Sequence, residues 1–218
     1  MKKKIIEEVL NKKLTYLNAE ALEELITEVD RCNNVEGIIV ETGCALGGSS
    51  ICIACAKKDK RLYVYDSFGM IPAPSGRDGE DAHQRYDTIF KGESQGIDGN
   101  EYYGYQKNLY EKVESNFRSA LNIDNLNERG IYLVKGFYED TLHINEKIAF
   151  AHIDCDWYES VKISLQEIVP NLSVNGVIVI DDYFTWSGCK TAVDEYFTNN
   201  KEKFEFIKKS RLHVVRKS

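Results

Sequence analysis

Several things are scarce in this sequence, and each scarcity removes a class of function. No apolar run approaches the length of a membrane span. Basic residues are in the minority: net charge is −7 and no basic stripe offsets it, so neither a nucleic acid nor a membrane surface is expected as partner. Lys2–Lys4 run into Ile5-Ile6-Glu7-Glu8 without an apolar h-region, so no secretory signal is expected there. The six cysteines show no framework spacing, which suggests reduced thiols and a cytoplasmic protein. Cys52 and Cys55 do form a CxxC, but inside the apolar helical run ICIACA, where packing is the better reading than metal or redox chemistry. There are only three prolines, and two of them fall within residues 72–110. That stretch is also rich in glycine and lacks periodicity, so it reads as a lid inserted into one domain of 218 residues, preceded by a helical segment over residues 1–35. No internal repeat or interdomain linker breaks the chain.

What is present is a set of strand-then-acid units. Ile148–Ser160, IAFAHIDCDWYES, runs from a strand-like apolar segment into Asp154 and Asp156 and then into a helix. Asp156 and Glu159 stand three apart, as N-cap and N3 of a capping box do. Gly176–Tyr183, GVIVIDDY, repeats the form and delivers Asp181 and Asp182. In an α/β sheet the carboxyl ends of the strands are where ligands bind. Asp154, Asp181 and Asp182 gathered there would repel one another unless a cation or protons intervened, and a hard oxygen-liganded ion such as Mg²⁺ is the natural answer. Mn²⁺ accepts the same donors.

Earlier in the chain, Ile38–Glu41 reads as the first strand, and Glu41-Thr42-Gly43-Cys-Ala-Leu-Gly47-Gly48-Ser49 as a turn opening a helix. Gly43 permits a tight turn, and Gly47 and Gly48 would let a ligand approach the backbone. Arg61–Tyr65 is a second strand ending in Asp66, which lies 23 residues after Gly43, the spacing of an acid that binds ribose hydroxyls. Loop and acid together indicate a bound nucleoside. A third strand over Ile131–Lys135 leads to Gly136 and Phe137, placed to meet an adenine. A helix over Asn18–Arg31 carries Leu22, Leu25, Ile26 and Val29 on one face, which covers the sheet or contacts a partner subunit. Phe204–Lys208 and Leu212–Arg216 are joined too tightly to be parallel and must form an antiparallel hairpin.

Five α/β units followed by that hairpin make the strand plan of class I S-adenosylmethionine-dependent methyltransferases: a Rossmann-like, seven-stranded mixed sheet with helices on both faces. A NAD-type domain would carry G-x-G-x-x-G, where this chain has E-x-G-x-x-x-G-G. In order, VETGCALGGSS, YDSF, KGFYEDTL, HIDCDWYES, GVIVIDDY and CKTAVDEYF resemble the macrocin O-methyltransferase family of metal-dependent enzymes over about Thr15–Phe197. The resemblance implies S-adenosylmethionine and Mg²⁺ as cofactors, and as acceptor a hydroxyl of a sugar or other small polyhydroxylated natural product. It implies Asp154, Asp181 and Asp182 as metal ligands and Asp154 as general base. It also places Glu41, Gly43 and Ser49 in the cofactor loop and matches Asp66 to the ribose acid; Thr42, Gly47, Gly48, Ser67, Gly136, Phe137 and Asp154 complete the expected cofactor site. A homodimer or higher homo-oligomer is implied too, with residues 1–30 as the interface to consider.

Other side chains remain open between a chemical and a structural role. His152 shares a strand face with Asp154, so it either assists or orients the catalytic site or is a satisfied core histidine. His83 in the lid is a candidate substrate contact or auxiliary base, or else a solvated surface histidine; Tyr86 and Tyr105 either contact substrate or pin the loop, and Trp186 after the paired acids is a candidate wall of the acceptor pocket. A catechol-type acceptor and a non-catalytic nucleoside-binding domain are the alternatives to the sugar-directed enzyme.

Overall fold

The computed structural model describes residues 2–218. The helices are α1 (Lys2–Asn11), α2 (Ala19–Cys32), α3 (Gly48–Ala56), α4 (Glu80–Phe90), α5 (Leu109–Leu121), the single turn α6 (Tyr138–Thr141), α7 (Tyr158–Ile168) and α8 (Ser187–Phe197). The strands are β1 (Ile38–Thr42), β2 (Leu62–Asp66), β3 (Ile131–Lys135), β4 (Ile148–Ile153), β5 (Leu172–Ile180), β6 (Phe204–Lys208) and β7 (Leu212–Arg216). They form one seven-stranded sheet in the order β3-β2-β1-β4-β5-β7-β6. β1 to β5 are parallel, and β7 runs antiparallel to both β5 and β6. The expected fold class and hairpin are therefore present.

Side-chain alternation along the strands builds two apolar layers. Ile39 and Phe150 face the layer made by α1, α2, α3 and α5, while Val40 and Ala151 face that of α7 and α8. Every residue of β1 and β4 is buried, as a strand covered on both sides requires. Residues 2–30 put apolar positions into this chain's own core: Ile5, Ile6, Val9, Leu22, Leu25 and Val29 are buried against α3 and the sheet. Cys52 is wholly buried in the same layer, as its apolar surroundings suggested, and the six cysteines are free. Among the described residues no helix is long and apolar enough to cross a membrane.

Two expectations change. Residues 72–110 are not uniformly irregular, because α4 forms eleven residues of helix within them. Only Ala82 and Ile89 of that helix are buried, too few apolar positions to show a helical period. β5 begins at Leu172 rather than Gly176; a register shift against β4 and a left-handed Asn175 (φ 66°) absorb the extra residues.

Candidate active site

Strand order reverses between β1 and β4, and a cavity of about 600 Å³ opens at the carboxyl ends of these strands. One wall comes from the turn after β1 and the ends of β2 and β3: Gly43, Cys44, Ala45, Ser49, Asp66, Ser67, Gly136 and Phe137. Gly43 has φ +85°, and a Cβ there would collide with the carbonyl of Asp154, so glycine is what lets the two strand ends lie side by side. Asp66 accepts the backbone N–H of Cys44 (2.8 Å) and of Phe68 (2.6 Å), which ties the β2 end to the first loop. Burial raises its pKa against those two hydrogen bonds.

The other wall carries the acids. Backbone pairing continues one residue beyond the strands, Asp154 N–H to Thr42 O at 2.8 Å and Asp181 N–H to Ile153 O at 2.9 Å, so both acids sit at the sheet edge. Asp154, Asp181 and Asp182 each offer one carboxylate oxygen within 4.8 Å of the others. Burial and the neighbouring carboxylates push Asp154 and Asp182 well above the usual range. Burial also disfavours ionised Asp181, but His152 and Arg211 outweigh it and hold its pKa low. The Arg211 guanidinium, from the turn before β7, binds Asp181 Oδ1 directly.

Asp156 does not cap α7. Its φ is +58°, and Trp157 N–H returns to the Cys155 carbonyl at 2.7 Å, a tight turn that points the Asp156 side chain into the cavity. Trp186 Nε1–H donates to its Oδ1 at 2.9 Å. Burial raises the Asp156 carboxyl to about 7, although the Trp186 bond opposes the shift. The cap comes instead from the lid, where Asp78 Oδ1 accepts the Tyr158 N–H at 2.7 Å. Asp81 does the same for α8, taking the Ser187 N–H at 2.9 Å.

Not every expected residue reaches the cavity. Glu41 and Thr42 are wholly buried within β1 beneath the wall, where Glu41 accepts hydrogen bonds from Ser50 Oγ and from His152 Nδ1 (2.8 Å). Gly47 and Gly48 do not make room for a ligand: a Cβ on Gly47 would press on Val113 at 3.1 Å, and one on Gly48 would meet the Leu14 carbonyl at 2.6 Å. These glycines let α3 pack against α5 and against the chain before α2. His152 is also fully buried, below the acid cluster and off the cavity lining. Burial alone would lower its pKa, but Asp181 and Glu41 outweigh that and hold the imidazole up at about 10.

In the lid, α4 turns Arg85 and Ile89 toward the cavity and leaves His83 and Tyr86 off its wall, Tyr86 stacking on Phe90. Tyr105 pins the loop, donating to Ile89 O at 2.6 Å and accepting the Ser94 N–H at 3.2 Å. Trp186 does line the cavity, edge-to-face with Trp157. Tyr102 and Tyr103 of the tyrosine-rich lid line it as well, and sequence reasoning missed Tyr16, Arg85 and Arg211, which line it beside them. Among the described residues Arg85 has no hydrogen-bonded or ion-paired partner and lies over the Tyr102 ring at 5.6 Å. A helical-phase argument placing Ala82, Arg85 and Ile89 on one face was the available signal for it. Nothing in the linear order brings Tyr16 or Arg211 to this edge.

A model of the macrocin-O-methyltransferase (TylF) family matches residues 15–210. The chain belongs to the macrocin O-methyltransferase family. Among curated proteins, demethyldecarbamoylnovobiocin O-methyltransferase of Streptomyces niveus is 33% identical over 177 residues, 75% of this chain and 59% of that protein. A tetracenomycin-C rhamnosyl 4'-O-methyltransferase of Streptomyces olivaceus is 30% identical over 171 residues, with the same two shares. The chain thus spans 59% of the length of the curated relatives it matches. Among solved structures, the O-methyltransferase NovP matches with a TM-score of 0.75 at 26% identity, covering 94% of this chain and 83% of that one. The calicheamicin methyltransferase CalS11, at 15% identity and a TM-score of 0.65, shares the fold. This chain has the class I methyltransferase fold, a seven-stranded mixed sheet with helices on both faces.

Proposed function

We propose that this protein is an S-adenosylmethionine-dependent, divalent-metal-dependent O-methyltransferase acting on a hydroxyl of a sugar or another small polyhydroxylated molecule. The observation that carries the reading is that one cavity holds both halves of such a site, the Gly43–Asp66–Gly136 wall and the Asp154–Asp181–Asp182 wall. The relatives' sugar- and natural-product-directed names favour this acceptor class over a catechol.

The acid cluster fits a divalent cation. All three donors are carboxylate oxygens, the set that Mg²⁺ or Mn²⁺ takes, and the crowding that raises Asp154 and Asp182 is what a cation between them would relieve. Asp154, Asp181 and Asp182 would hold the ion, which when bound supplies Lewis acidity that lowers the pKa of an acceptor hydroxyl. On the opposite wall, Asp66 and Ser67 would meet the ribose of S-adenosylmethionine, the donor of an already activated methyl group. Phe137, half exposed at the mouth, offers a ring face to the adenine. Asp154, at the edge where the walls meet, is placed to take the proton from the acceptor oxygen. The lid, through Pro72, Arg85 and Tyr102, closes the top of the cavity and excludes water from the methyl transfer. Most of the acceleration asked of the protein is then orientation.

The test is calorimetric titration of metal-stripped protein with S-adenosylhomocysteine, with and without Mg²⁺, in wild type and Asp154→Asn, followed by an acceptor screen. Saturable nucleoside binding is expected in both proteins, metal binding in the wild type alone, and activity in Asp154→Asn lower by about 10²–10⁴-fold. Wild-type protein that binds neither ligand would end the enzyme reading.

A further inference from the structure

Beneath the acid cluster lies a chain of buried polar groups that the proposed reaction leaves without a task. Glu41 and His152 are both wholly buried, on the adjacent central strands β1 and β4. Glu41 is held from one side by Ser50 Oγ and from the other by His152 Nδ1 at 2.8 Å. This fixes the imidazole ring and turns Nε2 toward Asp181. Among the described residues that atom is buried with no hydrogen-bond partner, and it stands 3.9 Å from Asp181 Oδ1. Closing the gap by about 1 Å would bring the pair within hydrogen-bond length. The same oxygen, Oδ1, receives the Arg211 guanidinium from the opposite side of the sheet edge. Both groups therefore approach one oxygen of Asp181 and leave Oδ2 unengaged. A core histidine kept only for packing would have its second nitrogen satisfied or replaced by carbon.

We propose that Glu41 and His152, together with Arg211, are positioning residues that clamp Asp181 by Oδ1 so that Oδ2 is presented to the divalent cation. The inference rests on the metal-dependent reading above. It assigns to a buried pair the work that carboxylates commonly do when they orient a metal site's ligands from behind.

The experiment measures Mn²⁺ binding by the loss of the free-ion electron paramagnetic resonance signal, with S-adenosylhomocysteine titrated separately as a control for the fold. Wild type, Asp182→Asn, His152→Phe, Glu41→Gln and Arg211→Gln are compared. Binding by wild type and its loss in Asp182→Asn establish the metal reading independently. The clamp then predicts Mn²⁺ affinity about 10–100-fold weaker in His152→Phe and in Arg211→Gln, with nucleoside affinity retained. Glu41→Gln, nearly isosteric, keeps the decision open if His152→Phe does not fold, and is expected to weaken Mn²⁺ in the same direction. Wild-type Mn²⁺ affinity in the folded variants, or parallel loss of both ligands, would overturn the clamp while leaving the metal reading intact. Absence of Mn²⁺ binding by the wild type would overturn both.

Discussion

Asp156 carries a conformational cost that its neighbours do not. A left-handed non-glycine residue is disfavoured by about 1–2 kcal/mol, and its N–H is held by Asp182 Oδ2 at 3.1 Å. Replacing it with glycine removes that cost and adds backbone entropy to the unfolded chain, two effects of similar size. Thermal denaturation of Asp156→Gly is therefore expected to give a stability within about 1 kcal/mol of the parent. Methyl transfer should fall in the same variant, because the carboxylate beside Trp186 leaves the cavity wall. Coupled losses of stability and activity would contradict this separation. The carboxylates at the strand ends were legible in the sequence because an apolar run followed by acid is a local pattern. The role of Asp156 was not, since capping and a cavity-facing turn share the same spacing to Glu159. Glu41 likewise was read as closing the first strand and opening a cofactor loop, and its burial under the wall became visible only in the fold.

The lid is attached through helix termini. Each α-helix begins with backbone N–H groups that have no partner within the helix. Asp78 and Asp81 satisfy one such group on α7 and one on α8, the helices that follow the two acid motifs. Trp157 Nε1–H adds a bond to the Pro72 carbonyl at 2.9 Å. Asp78→Ala and Asp81→Ala are each expected to cost about 0.5–2 kcal/mol, the usual range for lost caps. Hydrogen exchange should quicken over residues 72–90 in the double variant, and S-adenosylhomocysteine should dissociate faster. Unchanged exchange there would mean that the aromatic contacts alone hold the lid. The sequence could suggest a lid but not its anchors, because Asp78 and Tyr158 are 80 residues apart. α4 went unseen for a different reason, its charged side chains, Glu80, Asp81, Arg85 and Asp87, outnumbering its two buried ones.

At the scale of the whole molecule, the seven-stranded mixed sheet was legible in the sequence because short apolar strands alternated with helices and ended in a tight hairpin. The polar brace between α2 and that hairpin did not. Buried Glu28 accepts hydrogen bonds from Arg31 Nε (2.9 Å) and Lys209 Nζ (2.7 Å) and meets His213 Nδ1 at 3.2 Å. Burial raises its pKa, but His213, Lys209 and Arg31 outweigh that and hold it far below the ordinary 4.5. A depressed carboxyl stabilises the fold above its unfolded pKa, and that contribution drains away as pH falls through the native value. Denaturant unfolding should therefore show stability declining below about pH 4.5. Glu28→Gln should flatten that decline and cost about 1–3 kcal/mol at pH 7, since Arg31 and Lys209 keep access to water. An unchanged acid slope in the variant would shift the cause to other carboxyls. The sheet order has a consequence for the time course of folding. Glu41 and His152 are 111 residues apart, and Arg211 reaches Asp181 from the last hairpin, so no short fragment contains the site. Non-local parallel pairing is slow to form. A chain emerging from the ribosome would own helices and a lid long before it owned a cavity, and ligand capture would mark the last stage of folding rather than guide the first.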